Sequence, residues 1–177
     1  LEDKYRVVKL LGRGGFGRVY LVENVTGMVG QKQALKLLGD RLNDDDDRRQ
    51  RAINEIRVAM RLVDKYIIQI RDVDSTVDGQ LYYTMDYSPG VTLRKILKDE
   101  RRIEIPRAIR IILRVLRALK AAHAHGVIHR DLKPENIMVE KRGDRETVRV
   151  LDFGIATAVG ERSPLKKRRF IGSPYYV

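Results

Sequence analysis

The sequence has 177 residues, enough for one domain or two small lobes with a buried core. Its 43% hydrophobic and 34% charged residues are typical of a globular protein and exclude a disordered chain. No cysteine is present, which excludes disulfides and thiolate metal sites, and no apolar run reaches the length of a membrane span. The charged opening Leu1–Lys4 does not resemble a secretory signal, so we expect a cytoplasmic location.

The net charge of +12 is unevenly distributed, with +1 over residues 1–88 and +11 over residues 89–177. A basic excess of this kind is compatible with nucleic-acid binding, but no aromatic residues are interleaved with it to stack on bases. We therefore expect a solvated surface and no nucleic-acid partner. Much of the excess lies in the run Lys166–Arg169 and on one predicted helix face: Arg107, Arg110, Arg114, Arg117 and Lys120.

The chain opens with two predicted strands, Tyr5–Leu11 and Arg18–Glu23, on either side of a glycine-rich motif. A strand follows the glycines, whereas a dinucleotide-binding fingerprint needs a helix there, and a P-loop would need a GK[ST] run. Strand–glycine–strand suits a flap whose backbone N–H groups approach phosphate oxygens, and a plain hairpin turn is the alternative. The motif consists of Gly12, Gly14, Gly15 and Gly17, with Phe16 at its tip.

A third predicted strand, Gln33–Leu37, carries Lys36, and a predicted helix, Arg48–Val63, follows it. The segment Asn43–Asp47 offers caps and acidic residues for the helix start. A lysine in an apolar strand usually points to solvent, but a buried one needs an anionic partner. Glu55 lies beside the apolar stripe as the only acid in the helix body, and we predict that it pairs with Lys36.

The middle of the chain reads as a hairpin followed by two helices. Strands are predicted at Tyr66–Val73 and Gln80–Met85, and residues 86–90 then break the pattern. Helices are predicted at Leu93–Lys98 and at Ile105–His125, where a first-turn proline opens the longer helix and a glycine ends it. The apolar face predicted for the longer helix consists of Ile109, Ile112, Leu113, Leu116, Leu119 and Ala122.

The run 129–136 brings a carboxylate, an ammonium and a carboxamide onto one short loop. Asp131 and Asn136 are five residues apart, a spacing that on a short loop can put one beside a reacting hydroxyl and the other on a metal, and Lys133 can face the same ligand. Such a set suits phosphoryl transfer, where catalysis is mostly positioning and charge neutralisation. A charged surface loop that caps a helix is the alternative.

A further hairpin, Ile137–Glu140 with Thr147–Leu151, ends at Asp152-Phe153-Gly154, 21 residues beyond Asp131. In this order, the glycine flap, Lys36, the loop at 129–136 and this triplet resemble the catalytic domain of eukaryotic-type Ser/Thr protein kinases. The resemblance spans residues 12–154, and the lysine at position 133 is the feature of the Ser/Thr type.

The resemblance implies an α+β, protein-kinase-like bilobal fold. Its N-lobe, residues 1–85, would hold an antiparallel sheet and one helix. Residues 86–90 would form the hinge, and residues 91–177 a partial, mainly helical C-lobe with the catalytic loop and activation segment.

The resemblance also implies transfer of the γ-phosphoryl group of Mg²⁺-ATP to Ser or Thr hydroxyls of protein substrates. Asp131, Lys133 and Asn136 would be catalytic, Asn136 and Asp152 would bind the metal, and His129 would pack under Phe153. Asp86 and Ser88 would bind the base through their main chain. The full set expected to bind nucleotide is Gly12, Gly14, Gly15, Phe16, Gly17, Val19, Ala34, Lys36, Glu55, Met85, Asp86, Ser88, Met138 and Asp152.

Ile155–Ser173 resembles an activation segment, in which we favour Ser163 as the phosphorylated residue. The chain then ends at Val177, where kinases continue into further helices. We therefore expect a fragment with part of an apolar helix face uncovered, and little activity from these residues alone. A non-catalytic nucleotide-binding scaffold with the same fold is the alternative function.

Overall fold

The computed structural model describes residues 2–14, 17–27, 29–39 and 46–153. These residues form two compact units. The first comprises residues up to Arg61 together with Gln69–Tyr87, and the second comprises Leu62–Ile68 together with residues 88–153. The lobe boundaries expected from the sequence stay a prediction.

The first unit is built on a five-stranded antiparallel sheet with the order β1-β2-β3-β5-β4. One helix, α1 (Asp46–Met60), packs against β4. The strands are β1 (Tyr5–Gly14), β2 (Gly17–Asn24), β3 (Lys32–Leu38), β4 (Ile70–Ser75) and β5 (Leu81–Asp86).

The first two strands extend further into the glycine motif than the sequence predicted. Gly12 is paired with Val19 and Gly14 with Gly17, so the motif lies largely within the β1–β2 ladder. The prediction stopped at Leu11 because it followed side-chain alternation, which glycine does not show. Backbone pairing between two antiparallel strands needs no side chain, so the ladder continues through the glycines.

The two faces of this sheet carry different side chains because alternate residues of a strand point to opposite sides. One face buries an aromatic and aliphatic cluster of Tyr5, Val22, Leu35 and Tyr82. The rings of Tyr5 and Tyr82 meet edge to face with centroids 6.2 Å apart. The opposite face carries the residues between them, among which are Ala34 and Lys36 of β3.

Helix α1 is fixed to the β4–β5 hairpin near its start. Its buried residues Ala52, Ile56 and Ala59 recur at helical spacing. Arg49 donates to the carbonyl oxygen of Gly79 at 2.6 Å and also to the hydroxyl of Ser75. The helix ends at Met60, three residues earlier than predicted.

Strand β4 begins at Ile70 and not at Tyr66 as predicted. The preceding residues pair elsewhere: Ile68 N–H donates to Val150 O at 3.0 Å, and Val150 N–H donates to Tyr66 O at 2.8 Å. These bonds place Leu62–Ile68 in the second unit. A bond to a residue some eighty positions later leaves no trace in local periodicity, which explains the error.

The second unit contains two helices, α2 (Leu93–Glu100) and α3 (Ile105–Ala124), and a three-stranded sheet. The Thr92 hydroxyl accepts from Lys95 N–H at 3.2 Å and caps α2, so this side chain has a structural role. Within the described residues, no helix is both long and apolar enough to cross a membrane. The sheet order is β6-β7-β8, with β6 at Val91–Thr92, β7 at Ile137–Arg142 and β8 at Arg145–Val150.

Most residues of the apolar face predicted for α3 are exposed, and another side of the helix meets the core. Ile109, Ile112, Leu113 and Leu116 are at least 50% exposed, while Leu119 is partly buried and Ala122 fully buried. The helix is apolar on two sides, and periodicity alone does not say which side meets the core. The residues that pack into the core of this unit are Ile111, Val115, Ala118 and Ala122.

Gly90 allows the chain before β6 to lie directly against β7. A Cβ atom at this position would overlap the carbonyl oxygen of Val139 and lie 2.7 Å from its carbonyl carbon. We expect Gly90→Ala to lower the free energy of unfolding by about 1–3 kcal/mol, the usual cost of overpacking. Urea unfolding measures it, with Gly39→Ala as the control because a Cβ there meets nothing within 4 Å. Equal stability of the two variants would contradict the steric argument.

Candidate active site

One face of the first unit's sheet brings together several residues that the sequence predicted to bind nucleotide. Val19 on β2 lies opposite Lys36 on β3, and Ala34, two positions from Lys36, lies opposite Met85 on β5. Because directly paired residues of antiparallel strands point to the same face, these four side chains share one side of the sheet. The register therefore places Lys36 beside three apolar side chains.

Lys36 is half-buried on this face. Its Nζ lies 5.8 Å from the centroid of the Tyr83 ring, which belongs to the cross-strand partner of Lys36 on β5. A cation over an aromatic face is stabilised by the ring quadrupole. Local sequence patterns do not reveal Tyr83, because its place beside Lys36 depends on the β3–β5 register. Glu55 is half-buried on α1 next to Ile56, and its pairing with Lys36 stays a prediction.

The glycines of the motif occupy two kinds of position. A Cβ atom at Gly12 or Gly14 would meet nothing within 4 Å, so the space beside these residues is open. Gly17 has φ +132°, and the space in which a side chain would lie is already occupied by the backbone of β3. A Cβ atom at Gly17 would overlap Leu37 O and lie 3.0 Å from the Leu37 carbonyl carbon. Gly17 is thus required by the packing of β2 against β3, whereas Gly12 and Gly14 leave room for a ligand.

The second unit holds the loop at residues 129–136, in which the three predicted catalytic side chains meet. Lys133 Nζ lies 2.7 Å from Asp131 Oδ2. Asn136 Nδ2 donates to Asp131 O at 2.8 Å and to Asp131 Oδ2 at 3.3 Å. Asp131 and Asn136 are each only 9% exposed, so the carboxylate is fixed by a cation and an amide in a largely dry setting.

His129 ties this loop to the end of β8. Its Nδ1 accepts from Asp131 N–H at 3.3 Å, and its Nε2 lies 2.8 Å from Leu151 O. Since the first contact needs an unprotonated Nδ1, the imidazole is neutral and Nε2 carries the proton. The predicted packing of His129 against Phe153 is confirmed, with ring centroids 4.7 Å apart. Leu151 N–H also donates to Asn136 O at 2.9 Å.

Two residues around the loop have left-handed backbone conformations. Arg130 has φ +63° and Asp152 has φ +57°. Aspartate tolerates this region better than most residues, whereas arginine has no such advantage. Conformations of this kind persist where surrounding contacts over-determine the backbone, and both residues adjoin the segments that His129 holds together.

The donor set beside this loop fits a hard divalent cation. The Asn136 amide nitrogen is committed to Asp131, so its amide oxygen is the atom that a cation would use. Asp152 follows Leu151, whose N–H is bonded to Asn136 O, and adds a carboxylate. Oxygen ligands in small number suit a hard divalent cation that keeps several waters. Among the described residues, no group of three or more His, Cys, Asp or Glu forms an alternative metal site.

The residues predicted to contact the base lie in both units. Asp86 is the last residue of β5, and its N–H donates to Gln69 O at 2.9 Å. Ser88 and Met138 belong to the second unit and are half-buried, with Met138 on β7 opposite Thr92. Gly15, Phe16 and Gly154 lie outside the described residues, as does the predicted activation segment with Ser163 and the basic run Lys166–Arg169.

Comparison with known proteins identifies the family. The family model for the protein kinase domain matches residues 5–177. The chain therefore belongs to the protein kinase family, and the α+β kinase fold predicted from the sequence is confirmed. Membership of this family implies the use of ATP and a divalent cation.

Curated relatives of this chain are serine/threonine-protein kinases of bacteria. The chain is 37% identical to the probable kinase PknB of Lactococcus lactis, 38% to PknE of Mycobacterium bovis and 39% to pkn3 of Myxococcus xanthus. These matches cover 98–99% of this chain but only 27%, 30% and 32% of the respective relatives. The chain thus spans less than a third of the length of these proteins.

A solved structure shows the same fold. The crystal structure of the Mycobacterium tuberculosis PknI kinase domain superimposes with a TM-score of 0.75 at 35% identity. The match covers 87% of this chain and 61% of the PknI chain. At this identity the similarity extends beyond general architecture to the family itself.

The buried imidazole of His129 makes stability depend on pH. Burial lowers the pKa of His129 below its ordinary 6.5, although Leu151 O, Asp152 and Asp131 act in the opposite direction. As the pH falls, the imidazole of residue 129 is therefore protonated in the unfolded chain before it is protonated in the folded protein. Stability should be lost as the pH drops from about 6.5 through the lower pKa of the folded state.

We expect His129→Gln to remove this dependence, because glutamine offers a donor and an acceptor but does not titrate. Urea unfolding at several values between about pH 5 and pH 8 measures the effect. His123→Asn is the control, since His123 is exposed. If the parent and His129→Gln lose stability with the same slope, the neutral imidazole is not the cause.

Proposed function

We propose that the protein to which this chain belongs is a protein serine/threonine kinase, which transfers the γ-phosphoryl group of Mg²⁺-ATP to Ser or Thr hydroxyls of protein substrates. The observation that carries the proposal is the geometry of the loop: the Asp131 carboxylate lies 2.7 Å from Lys133 Nζ and accepts from Asn136 Nδ2 at 3.3 Å. Fixed charges of this kind are what phosphoryl transfer needs, because its catalysis is positioning and electrostatic stabilisation.

Each loop residue has a distinct task in this proposal. The Asp131 carboxylate orients the substrate hydroxyl and accepts its proton as the hydroxyl oxygen bonds to the γ-phosphorus and the bond to the β–γ bridging oxygen breaks, which releases ADP. Lys133, already beside Asp131, neutralises charge on the transferring group. Asn136 Oδ1 and the Asp152 carboxylate would hold Mg²⁺, which supplies charge neutralisation at the phosphate oxygens.

The first unit would bind the nucleotide. Gly12 and Gly14 leave open space in which backbone N–H groups approach phosphates, and Lys36 supplies a cation on the same sheet face as Val19 and Ala34. The apolar side chains of that face, with Met85, suit a purine. Ser88 and Met138 are the residues of the second unit that we assign to the base. Glu55 would hold Lys36 in place.

A non-catalytic nucleotide-binding scaffold is the second candidate. It needs a folded domain but neither the carboxylate nor the lysine of the loop, and here both are present and in contact. The geometry therefore favours the enzyme. We also propose a cytoplasmic location, where ATP is abundant. We expect the substrates to be proteins, and we expect no nucleic-acid partner.

Asp131→Asn tests the enzyme against the scaffold. In the protein containing this chain, we expect the turnover number to fall by at least about 10²–10³, while the affinity for Mg²⁺-ATP stays within a few-fold. Radiolabelled phosphoryl transfer to a serine-containing protein and nucleotide titration measure the two quantities. Asp144→Asn, in the exposed β7–β8 turn, is the control. Retained transfer in Asp131→Asn would remove this residue from the chemistry.

The glycine motif gives a second test, because its members differ in surroundings. Gly12→Ala and Gly14→Ala should change the free energy of unfolding by less than about 1 kcal/mol but weaken nucleotide binding, since the added methyl groups enter open space. Gly17→Ala should destabilise the sheet by overlap with Leu37 O. Urea unfolding and nucleotide titration separate the cases. Unchanged nucleotide affinity in both Gly12→Ala and Gly14→Ala would show that the flap does not contact the ligand.

A further inference from the structure

An arginine and an aspartate clamp the end of β5 in the first unit. Arg71 Nε donates to Asp86 Oδ1 at 2.6 Å, and Arg71 Nη2 donates to Asp86 Oδ2 at 3.0 Å. Two parallel bonds between a planar guanidinium and a planar carboxylate fix relative orientation as well as distance. Asp86 is the residue at which the chain leaves the sheet.

A local irregularity in β4 accompanies this contact. Ile70 pairs with Met85 and Asp72 pairs with Thr84, so Arg71 is an extra residue without a partner in the ladder. Such a β-bulge interrupts the regular alternation of side chains and re-aims the bulged residue. Bulges are common at sheet edges, where β4 lies, and next to active sites, and they can re-aim a side chain; here the re-aimed side chain binds Asp86.

The main chain of Asp86 is fixed by the same strand. Its N–H donates to Gln69 O at 2.9 Å. The Gln69 side chain in turn donates to Ile70 O at 3.0 Å and to Met60 O, at the end of α1, at 2.7 Å. Asp86 is thus restrained through both its backbone and its carboxylate. Since its N–H is already used, the main-chain group of Asp86 left for a ligand is the carbonyl oxygen, which would accept a hydrogen bond.

Stability alone does not explain the Arg71–Asp86 pair. The two side chains are 43% and 31% exposed, and pairs in such settings contribute about 0–1 kcal/mol to folding. A bidentate contact at a bulge that adds little stability is better explained by the geometry that it imposes on residue 86.

We propose that Arg71 is a positioning residue for purine binding. Its bidentate contact holds Asp86 so that the carbonyl oxygen of Asp86 accepts a hydrogen bond from the amino group of the base. The inference rests on the proposed nucleotide-binding function and adds a residue to it that itself touches no substrate.

Separate probes for the base and for the phosphates test this role. We expect Arg71→Met and Asp86→Asn to weaken adenosine binding about three- to tenfold, the effect of misplacing one hydrogen-bond acceptor, and to leave inorganic tripolyphosphate binding unchanged. Arg71→Lys should retain only part of the affinity, because an ammonium cannot reproduce the fork geometry. In phosphoryl transfer the KM for ATP should rise with little change in kcat.

Arg6→Met is the matched control. It removes another ion pair of the same sheet, Arg6–Glu23 between β1 and β2, away from residue 86. We expect it to change adenosine affinity by less than about twofold.

Two results would overturn the inference while leaving the proposed function intact. One is unchanged adenosine affinity in both Arg71→Met and Asp86→Asn. The other is an equal loss of adenosine and tripolyphosphate binding, which would indicate a general structural defect. If the parent protein bound neither probe, the proposed function itself would fail, and the inference with it.

Discussion

A single neutral imidazole holds the second unit's polar loop in place. His129 is 2% exposed and uses both ring nitrogens, one toward Asp131 N–H and one toward Leu151 O. The segments before and after the β7–β8 hairpin are thereby tied through one side chain. Because protonation would set an N–H against the Asp131 N–H, the arrangement requires the uncharged form, and burial favours that form. The positions of Asp131 and of residue 152 therefore both depend on the contacts of His129.

The other polar groups of the loop form hydrogen bonds among the segments that His129 holds together. The Asn136 side chain donates to the main-chain carbonyl and to the carboxylate of Asp131. The main-chain carbonyl of Asn136 accepts from Leu151 N–H. Together with the contact between His129 and Leu151 O, this bond gives two hydrogen bonds between the loop and the end of the hairpin. Buried polar networks of this kind are rigid when their members are satisfied. Rigidity explains how left-handed conformations persist at Arg130 and Asp152, at a cost of order 1–3 kcal/mol each, because packing of His129 on Phe153 and the Leu151 bonds leave the backbone few alternatives.

Local sequence patterns predicted most elements and the composition of the loop, since both depend on neighbouring residues. Short spacing placed Asp131, Lys133 and Asn136 together, and the structure shows them in contact. Periodicity did not show which side of α3 meets the core, because the helix carries two apolar stripes and only tertiary packing selects Ile111 and its neighbours. The true start of β4 was missed for a similar reason, as Tyr66 and Ile68 bond to Val150.

The surroundings of Lys36 and Asp86 show what such patterns cannot contain. Tyr83 lies beside Lys36 only because β3 and β5 pair in one register, and a shift of one residue would turn the ring to the opposite face. Arg71 reaches Asp86 only because β4 bulges at that position. The alternation of apolar residues predicts neither the register of β3 and β5 nor the bulge in β4. The residues that set the geometry of a ligand site are therefore harder to predict than those that contact the ligand, because their role arises from strand pairing.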